Sequence, residues 1–294
     1  MNKISVIYNY NQYDIIIDKF KVFAGENIKT KIKIIRTLRS YFQTSKLSDY
    51  GAANNFKRII NWNDHYLDKR RFSLYELNQY YELNKDLKLG SQSLMLKYYE
   101  SIFENIEYLD EINTINTLLE NFNYEYIDEF GQFGELKIVN LLNTISSKLL
   151  LKLMGLNIQK DDLDANEFDL DYDEIIILQL NLLKEISLKQ DKKDFIVLMD
   201  IPILTEKIQD KLNINSNNLS ILIFPLFIEN PIKLNSNDVA LCNETFIDLC
   251  DEEQLYDLTL NLPYNLSIEE LKYQLFLKLD KFIPDKTDFV SYLE

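Results

Sequence analysis

Residues 161–174 read Asp-Asp-Leu-Asp-Ala-Asn-Glu-Phe-Asp-Leu-Asp-Tyr-Asp-Glu, eight carboxylates in fourteen positions with no Lys or Arg among them. Like charge at that density is costly unless it stays in water or a cation neutralises it. Hard oxygen donors of this kind suit calcium, which takes roughly six to eight oxygens in irregular geometry, better than magnesium, which prefers few carboxylates and keeps its waters. Asp169, Asp171 and Asp173 alternate with Phe168, Leu170 and Tyr172. An extended backbone there would turn the carboxylates one way and the apolar groups the other. The spacing is not that of an EF-hand: counted from Asp169, the sixth position is Glu174 rather than Gly and the twelfth is Leu180 rather than Glu. The same residues could instead form a solvated loop ahead of a helix, with Asp173 and Glu174 complementing the helix dipole.

A second constellation is basic. The formal charge of the chain is −15, yet residues 19–71 carry thirteen Lys and Arg against four acids, so this segment is +9 and the remainder −24. A chain polarised in this way can offer one cationic surface to phosphates although its total charge is acidic. Lys57, Arg58, Lys69, Arg70 and Arg71 are the candidate phosphate contacts, followed by Lys29, Lys31 and Lys33. The alternative is a basic helix face in water.

A third is a loop that resembles a nucleotide site and lacks its parts. Lys21–Ala24, Gly25 and a helical pattern from Thr30 to Phe42 give strand, loop and helix in the order of a phosphate-binding loop. Gly25 and Lys31 match the pattern, but Thr30 replaces its second Gly and Ile32 its magnesium-binding hydroxyl. Downstream, Phe195–Asp200 is an apolar run ending in an acid, followed by Ile201 where a hydrolytic enzyme would carry Glu. A nucleotide-binding architecture without efficient hydrolysis is expected. His65 is the only His in the chain, so any serine-type triad would have to use it. Trp62 and Tyr66 read as packed aromatics that could otherwise stack on a sugar or base.

These groups need elements to hold them. Residues 4–8, 14–18 and 21–24 read as strands, and Ile34, Ile35, Leu38, Tyr41 and Phe42 fall on one helical stripe. Residues 44–88 read as a loop excursion. From 91 to 189 the pattern is helical, including a long helix from Leu136 through Met154 that stops at Gly155 and another over 175–188. Residues 195–200 and 220–224 are continuous apolar runs of the kind found in buried parallel strands. One more strand falls in 239–249, and Ser267 with Glu270 opens a last helix. The expected fold class is therefore α/β: a P-loop-NTPase-like sheet core, residues 1–90 and 190–294, with a degenerate nucleotide site and an inserted α-helical domain, residues 91–189, carrying the acidic segment.

Cys242 and Cys250 are the only cysteines and lack a metal-binding spacing. With no signal-like N-terminal run and no apolar stretch approaching the roughly 20 residues of a membrane span, a soluble cytoplasmic protein with reduced thiols and no membrane partner is expected.

The string from Asn166 to Leu178 resembles the acidic segment of the type II-A CRISPR adaptation protein family. Lys88–Leu94, Phe195–Pro202 and the opening strands are similar to the longer, streptococcal-type branch of that family, and the likeness spans most of residues 1–230. The resemblance implies calcium at Glu167, Asp169, Asp171, Asp173 and Glu174, and a homotetrameric ring around double-stranded DNA ends. It also implies no catalytic residue, and a role in spacer acquisition beside the CRISPR integrase and effector proteins. Two other readings share some of these features: a DNA-linked P-loop ATPase of the recombination type, and an acidic structural interaction protein.

Overall fold

A computed structural model of the chain describes residues 1–43, 58–91, 93–103, 106–130, 132–133, 135–137, 143–190, 192–213, 216–262, 266–277 and 279. The strands are β1 Asn2–Tyr8, β2 Asn11–Ile17, β3 Phe20–Ala24, β4 Arg58–Trp62, β5 His65–Tyr66, β6 Phe72–Asn78, β7 Gln132–Phe133, β8 Leu136–Lys137, β9 Ile158–Lys160, β10 Leu163–Ala165, β11 Asp194–Leu204, β12 Leu219–Ile228, β13 Val239–Cys242 and β14 Phe246–Asp248. The helices are α1 Ile28–Gln43, α2 Leu83–Asp86, α3 Leu94–Phe103, α4 Ile106–Phe130, α5 Ser147–Leu153, α6 Tyr172–Lys189, α7 Glu206–Lys211, α8 Glu252–Leu260 and α9 Ile268–Leu277. No described helix is long and apolar enough to cross a membrane.

The chain divides into two compact units. The first comprises Met1–Tyr81, Tyr172–Leu180 and Asp191–Glu294, the second Glu82–Asp171 and Asn181–Gln190. Two sheets build the first. One has six strands in the order β14-β13-β3-β12-β11-β6, parallel throughout except for β14, and the other is the antiparallel order β2-β1-β4-β5. Residues 195–199 and 219–225 are buried without a break. This is why those runs lack polar alternation: strands covered on both faces have no wet side. Tyr13, Ile15 and Ile17 of β2, by contrast, alternate with more exposed neighbours. Ile34, Ile35, Leu38 and Tyr41 of α1 join one core cluster with Ile4 and Val6 of one sheet and Ile196, Leu198, Leu222 and Phe224 of the other. Phe23 stacks on Phe224 at 4.3 Å inside it.

A buried ion pair ties this unit together. The Lys21 ammonium, fully enclosed, donates to Asp248 Oδ1 at 2.8 Å and to the Asn237 carbonyl at 2.6 Å. Asp248 also accepts the amides of Ile16 and Cys250, each at 2.8 Å. Burial pushes the Asp248 carboxyl up, while Lys21 and the two amides hold its charged form in place.

Three expectations are corrected. Within residues 44–88, the described part after residue 57 contains β4, β5 and β6 rather than a loop, and β6 is the edge strand paired in parallel with β11, Asp194 opposite Phe72 and Asp200 opposite Asn78. The helix over 136–154 is much shorter: Leu136–Lys137 is strand, residues 138–142 lie outside the described set, and α5 starts at Ser147, where the Ser146 hydroxyl accepts the Leu149 amide at 3.2 Å. That cap offers the backbone a helix start that an uninterrupted helix would forgo. The second unit is also not wholly helical, since β9 and β10 form a hairpin whose turn residues Asp161 and Asp162 have φ of 52° and 63°.

Candidate functional site

The acidic segment is folded rather than extended. Asp161 and Asp162 make the hairpin turn, using the left-handed backbone that Asp tolerates. Asp164 accepts the Gln159 amide at 3.0 Å. Glu167–Asp169 is a single 3₁₀ turn opened by a capping box: Asn166 Oδ1 accepts the Phe168 amide and Asp169 Oδ2 accepts the Asn166 amide, both at 2.9 Å. Glu167 reaches the Asn84 amide at 3.0 Å, and Lys160 donates to the Asp169 carbonyl at 2.9 Å. Asp173 and Glu174 lie in the first turn of α6, where the dipole favours them. Asp173 accepts the Thr205 hydroxyl at 2.6 Å and faces Lys207 at 3.5 Å. Tyr172 beside it donates to the Ile203 carbonyl at 2.6 Å, and burial pushes its phenol up to about 12.

These carboxylates are hard oxygen donors of the kind that calcium takes. Among the described residues, no three His, Cys, Asp or Glu side chains converge to hold a metal ion. The division between the units also falls inside the segment, with Glu167, Asp169 and Asp171 on one side and Asp173 and Glu174 on the other.

The basic segment separates into two populations. Lys69, Arg70 and Arg71 stand exposed at the entry to β6. The Lys69 ammonium lies 4.7 Å above the Tyr41 ring. Arg70, its side chain 91% exposed, bonds Asp68 at 3.2 Å, and the amide and guanidinium of Arg70 hold the Asp68 carboxyl below its ordinary range. Arg71 bonds Asp194 at 2.7 Å with its side chain still 69% exposed. Solvent screens exposed pairs of this kind, so a phosphate can replace the aspartate at small cost. Arg58 is half-buried with Nη1 on the Ser40 hydroxyl at 2.5 Å. Lys29 is exposed and Lys33 half-buried on α1. Lys57 lies outside the described residues.

Lys31 is the correction in this set. It is 4% exposed, its ammonium donates to the Pro225 carbonyl at 2.7 Å, and burial lowers its pKa. A phosphate on the protein surface cannot reach it. The loop before it is filled by the protein itself: the Asn27 amide donates to the Cys242 carbonyl at 2.8 Å, and Asn27 Oδ1 accepts the Thr30 amide at 3.1 Å. Gly25 has φ of 98°, and a Cβ there would lie 2.3 Å from Asn243 Oδ1 and 2.6 Å from the Cys242 carbonyl. The glycine is explained by that close approach, without any ligand. Asp200 does not end its strand, which runs on to Leu204, and Arg39 lies 3.8 Å from it, itself bonded to Glu76 at 2.8 Å.

Pattern reading missed the cleft next to the exposed cations. It has a volume of about 410 Å³ and is lined by Trp62, His65, Tyr66, Phe72, Asn63 and Asn218, with Arg71 and Asp194 among its further residues. The signal was present in Trp62-Asn63-Asp64-His65-Tyr66, where Asn63 and Asp64 have φ of 49° and 63° and turn β4 back on β5. Two-residue turns of this conformation favour Asn and Asp.

The described chain is thus a mixed α/β protein with an exposed cationic corner on its larger unit. It is similar in fold to a solved structure, the crystal structure of Stu0660 of Streptococcus thermophilus, with a TM-score of 0.65 and 14% identity over 99% of this chain and 100% of that one. At that identity the likeness is one of fold. No family model matches the sequence, and no curated protein matches it.

Proposed function

We propose that this chain binds double-stranded DNA ends without regard to sequence and without catalysis, as a homotetrameric ring that acts in CRISPR spacer acquisition alongside the integrase and effector proteins. The CRISPR setting rests on the resemblance of residues 166–178 and of the opening strands to the adaptation family. The end-to-end fold likeness to a Streptococcus thermophilus protein supports the α/β fold of the chain and not its role. DNA binding rests on one observation above all, the exposed run Lys69–Arg71, whose aspartate partners can give way to phosphate oxygens. Each phosphate neutralised releases counterions, so affinity falls steeply with salt. Four copies closed around one duplex would multiply the contacts without requiring any base to be read.

A P-loop ancestry of the core, with the nucleotide function lost, belongs to the same proposal. Its support is the buried Lys31 on Pro225 and a loop whose amides serve Cys242 and Asn27. The ATPase reading would need that ammonium free to meet a phosphate. Calcium at Glu167, Asp169, Asp171, Asp173 and Glu174 belongs to the same proposal, on the donor chemistry of the acidic segment and on the resemblance of residues 166–178.

The test uses the full chain in calcium and in chelator, with mass by light scattering and binding by anisotropy to a linear duplex and to the same duplex closed into a circle. A tetramer that binds the linear form, loses it with rising salt and rejects the circle is expected. Equal binding of both forms would sink the ring, and a monomer in both buffers would sink the assembly. ATP turnover stimulated by DNA would restore the enzyme reading.

A further inference from the structure

We infer that the cleft beside Lys69–Arg71 is a pocket for one unpaired nucleotide, its base against Trp62 and Tyr66 and its phosphate at the guanidinium of Arg71. It rests on the DNA-end reading only for the source of that nucleotide. At about 410 Å³ the cleft lies within the range of small-ligand pockets, and all of its residues belong to the first unit.

Its wall is aromatic and braced. Trp62 is half-buried, with its ring 4.8 Å from Phe72, so the indole is held from behind. Tyr66 is 67% exposed and packs at 5.6 Å against Tyr41 in a T-shaped contact, so most of its ring is open to solvent. Stacking needs such a platform, and every base has a face to offer it. Two of its polar groups are amides held by the protein. Asn63 Oδ1 accepts the Lys3 amide at 2.8 Å while its Nδ2 donates to Asn2 at 3.1 Å, and Asn218 donates to the Lys193 carbonyl at 2.9 Å and accepts the Ser216 hydroxyl at 2.6 Å. A primary amide has two donors and two acceptor lone pairs, so one held in this way can also meet a base edge without the cost of burying charge.

Charge at the rim selects the ligand. The two carboxylates of the cleft are already engaged, Asp68 by Arg70 and Asp194 by Arg71. Only Nε of Arg71 is committed to Asp194 at 2.7 Å, and most of that side chain is open to solvent. A flat aromatic group carrying an anion fits this arrangement better than an uncharged sugar or a basic peptide. At a DNA end that ligand is an unpaired terminal nucleotide.

Trp62 is the only tryptophan of the chain, so its fluorescence reports on this cleft alone. The test compares a blunt duplex, the same duplex with a short single-stranded overhang, and an overhang whose sugars carry no bases, reading anisotropy and Trp62 emission together. The base-bearing overhang is expected to quench Trp62 and bind roughly ten-fold tighter than the blunt duplex. Tyr66→Ala should remove the gain and leave blunt-duplex affinity unchanged, while Tyr66→Phe keeps it. An overhang that neither quenches nor tightens binding overturns the pocket, as does an equal gain from the abasic overhang, which would assign the effect to phosphates. If the blunt duplex fails to bind but a base-bearing single strand quenches Trp62, the pocket stands and the duplex-binding proposal fails.

Discussion

Lys21 and Arg71 each hold one aspartate at nearly the same distance, 2.8 Å and 2.7 Å, but the first pair is fully buried and the second leaves its arginine 69% exposed. Distance alone would rank them equal, and the surroundings decide otherwise. The buried pair has given up its water and depends on mutual attraction and the added amides of Ile16 and Cys250. The exposed pair keeps its water and can change partners. One cation is structural and the other is available, although both come from the same basic stretch of sequence.

The largest expected effect breaks the buried side of that comparison. Asp248→Asn keeps the shape but leaves the Lys21 ammonium without a counter-charge, and should cost about 3–5 kcal/mol in urea unfolding. Replacing both partners with apolar residues should recover much of the loss, because no charge is then stranded. Asp194→Asn at the exposed pair should cost no more than about 1 kcal/mol. Similar losses at the two sites would mean that burial does not separate them.

The next effect tests the exposed side. Replacing Lys69, Arg70 and Arg71 together with alanine should lower the slope of log affinity against log salt by about 3 for each bound protomer, at roughly 0.9 per phosphate contact, while the unfolding midpoint in urea stays close to that of wild type. An unchanged slope would mean the corner does not face the DNA.

Legibility followed the same division. Elements buried on one or both faces were readable, because burial writes a period into the sequence: the runs of β11 and β12, the alternation in β2 and the stripe of α1. β6 was not. It is an edge strand with only Phe72 and Leu77 buried, and it pairs with a partner more than a hundred residues away, which no local pattern records. The acidic segment was legible as charge, and one of its two readings, the dipole-complementing start of a helix, describes Asp173 and Glu174 as they stand. The extended reading failed because Asn166 and Asp169 close a capping box on each other, a local bond that alternation cannot foresee. Among the cations, residue type alone does not distinguish Lys31 from Lys69. Helical phase could have separated them, since Lys31 falls one turn before Ile34 and Ile35 and two before Leu38 on the buried face of α1, all of them enclosed.

Lys31 gives the smallest and most specific prediction, because its surroundings make its charge a cost. Burial lowers its pKa below the ordinary lysine value, so between the folded and unfolded values the unfolded chain binds more protons. Stability from this group therefore rises with pH through that window and is most reduced below it. Lys31→Met removes the desolvated ammonium along with its bond to the Pro225 carbonyl, two opposing terms, and should shift stability by no more than about 1–2 kcal/mol at neutral pH. Relative to wild type, the variant should lose ground as the pH climbs through that window towards the ordinary lysine value, since only wild type gains from deprotonation. Its DNA affinity and salt slope should equal those of wild type, in contrast to the Lys69–Arg71 variant. A loss of affinity in Lys31→Met with stability intact would return this lysine to the phosphate-binding set and undo the separation of buried from exposed cations.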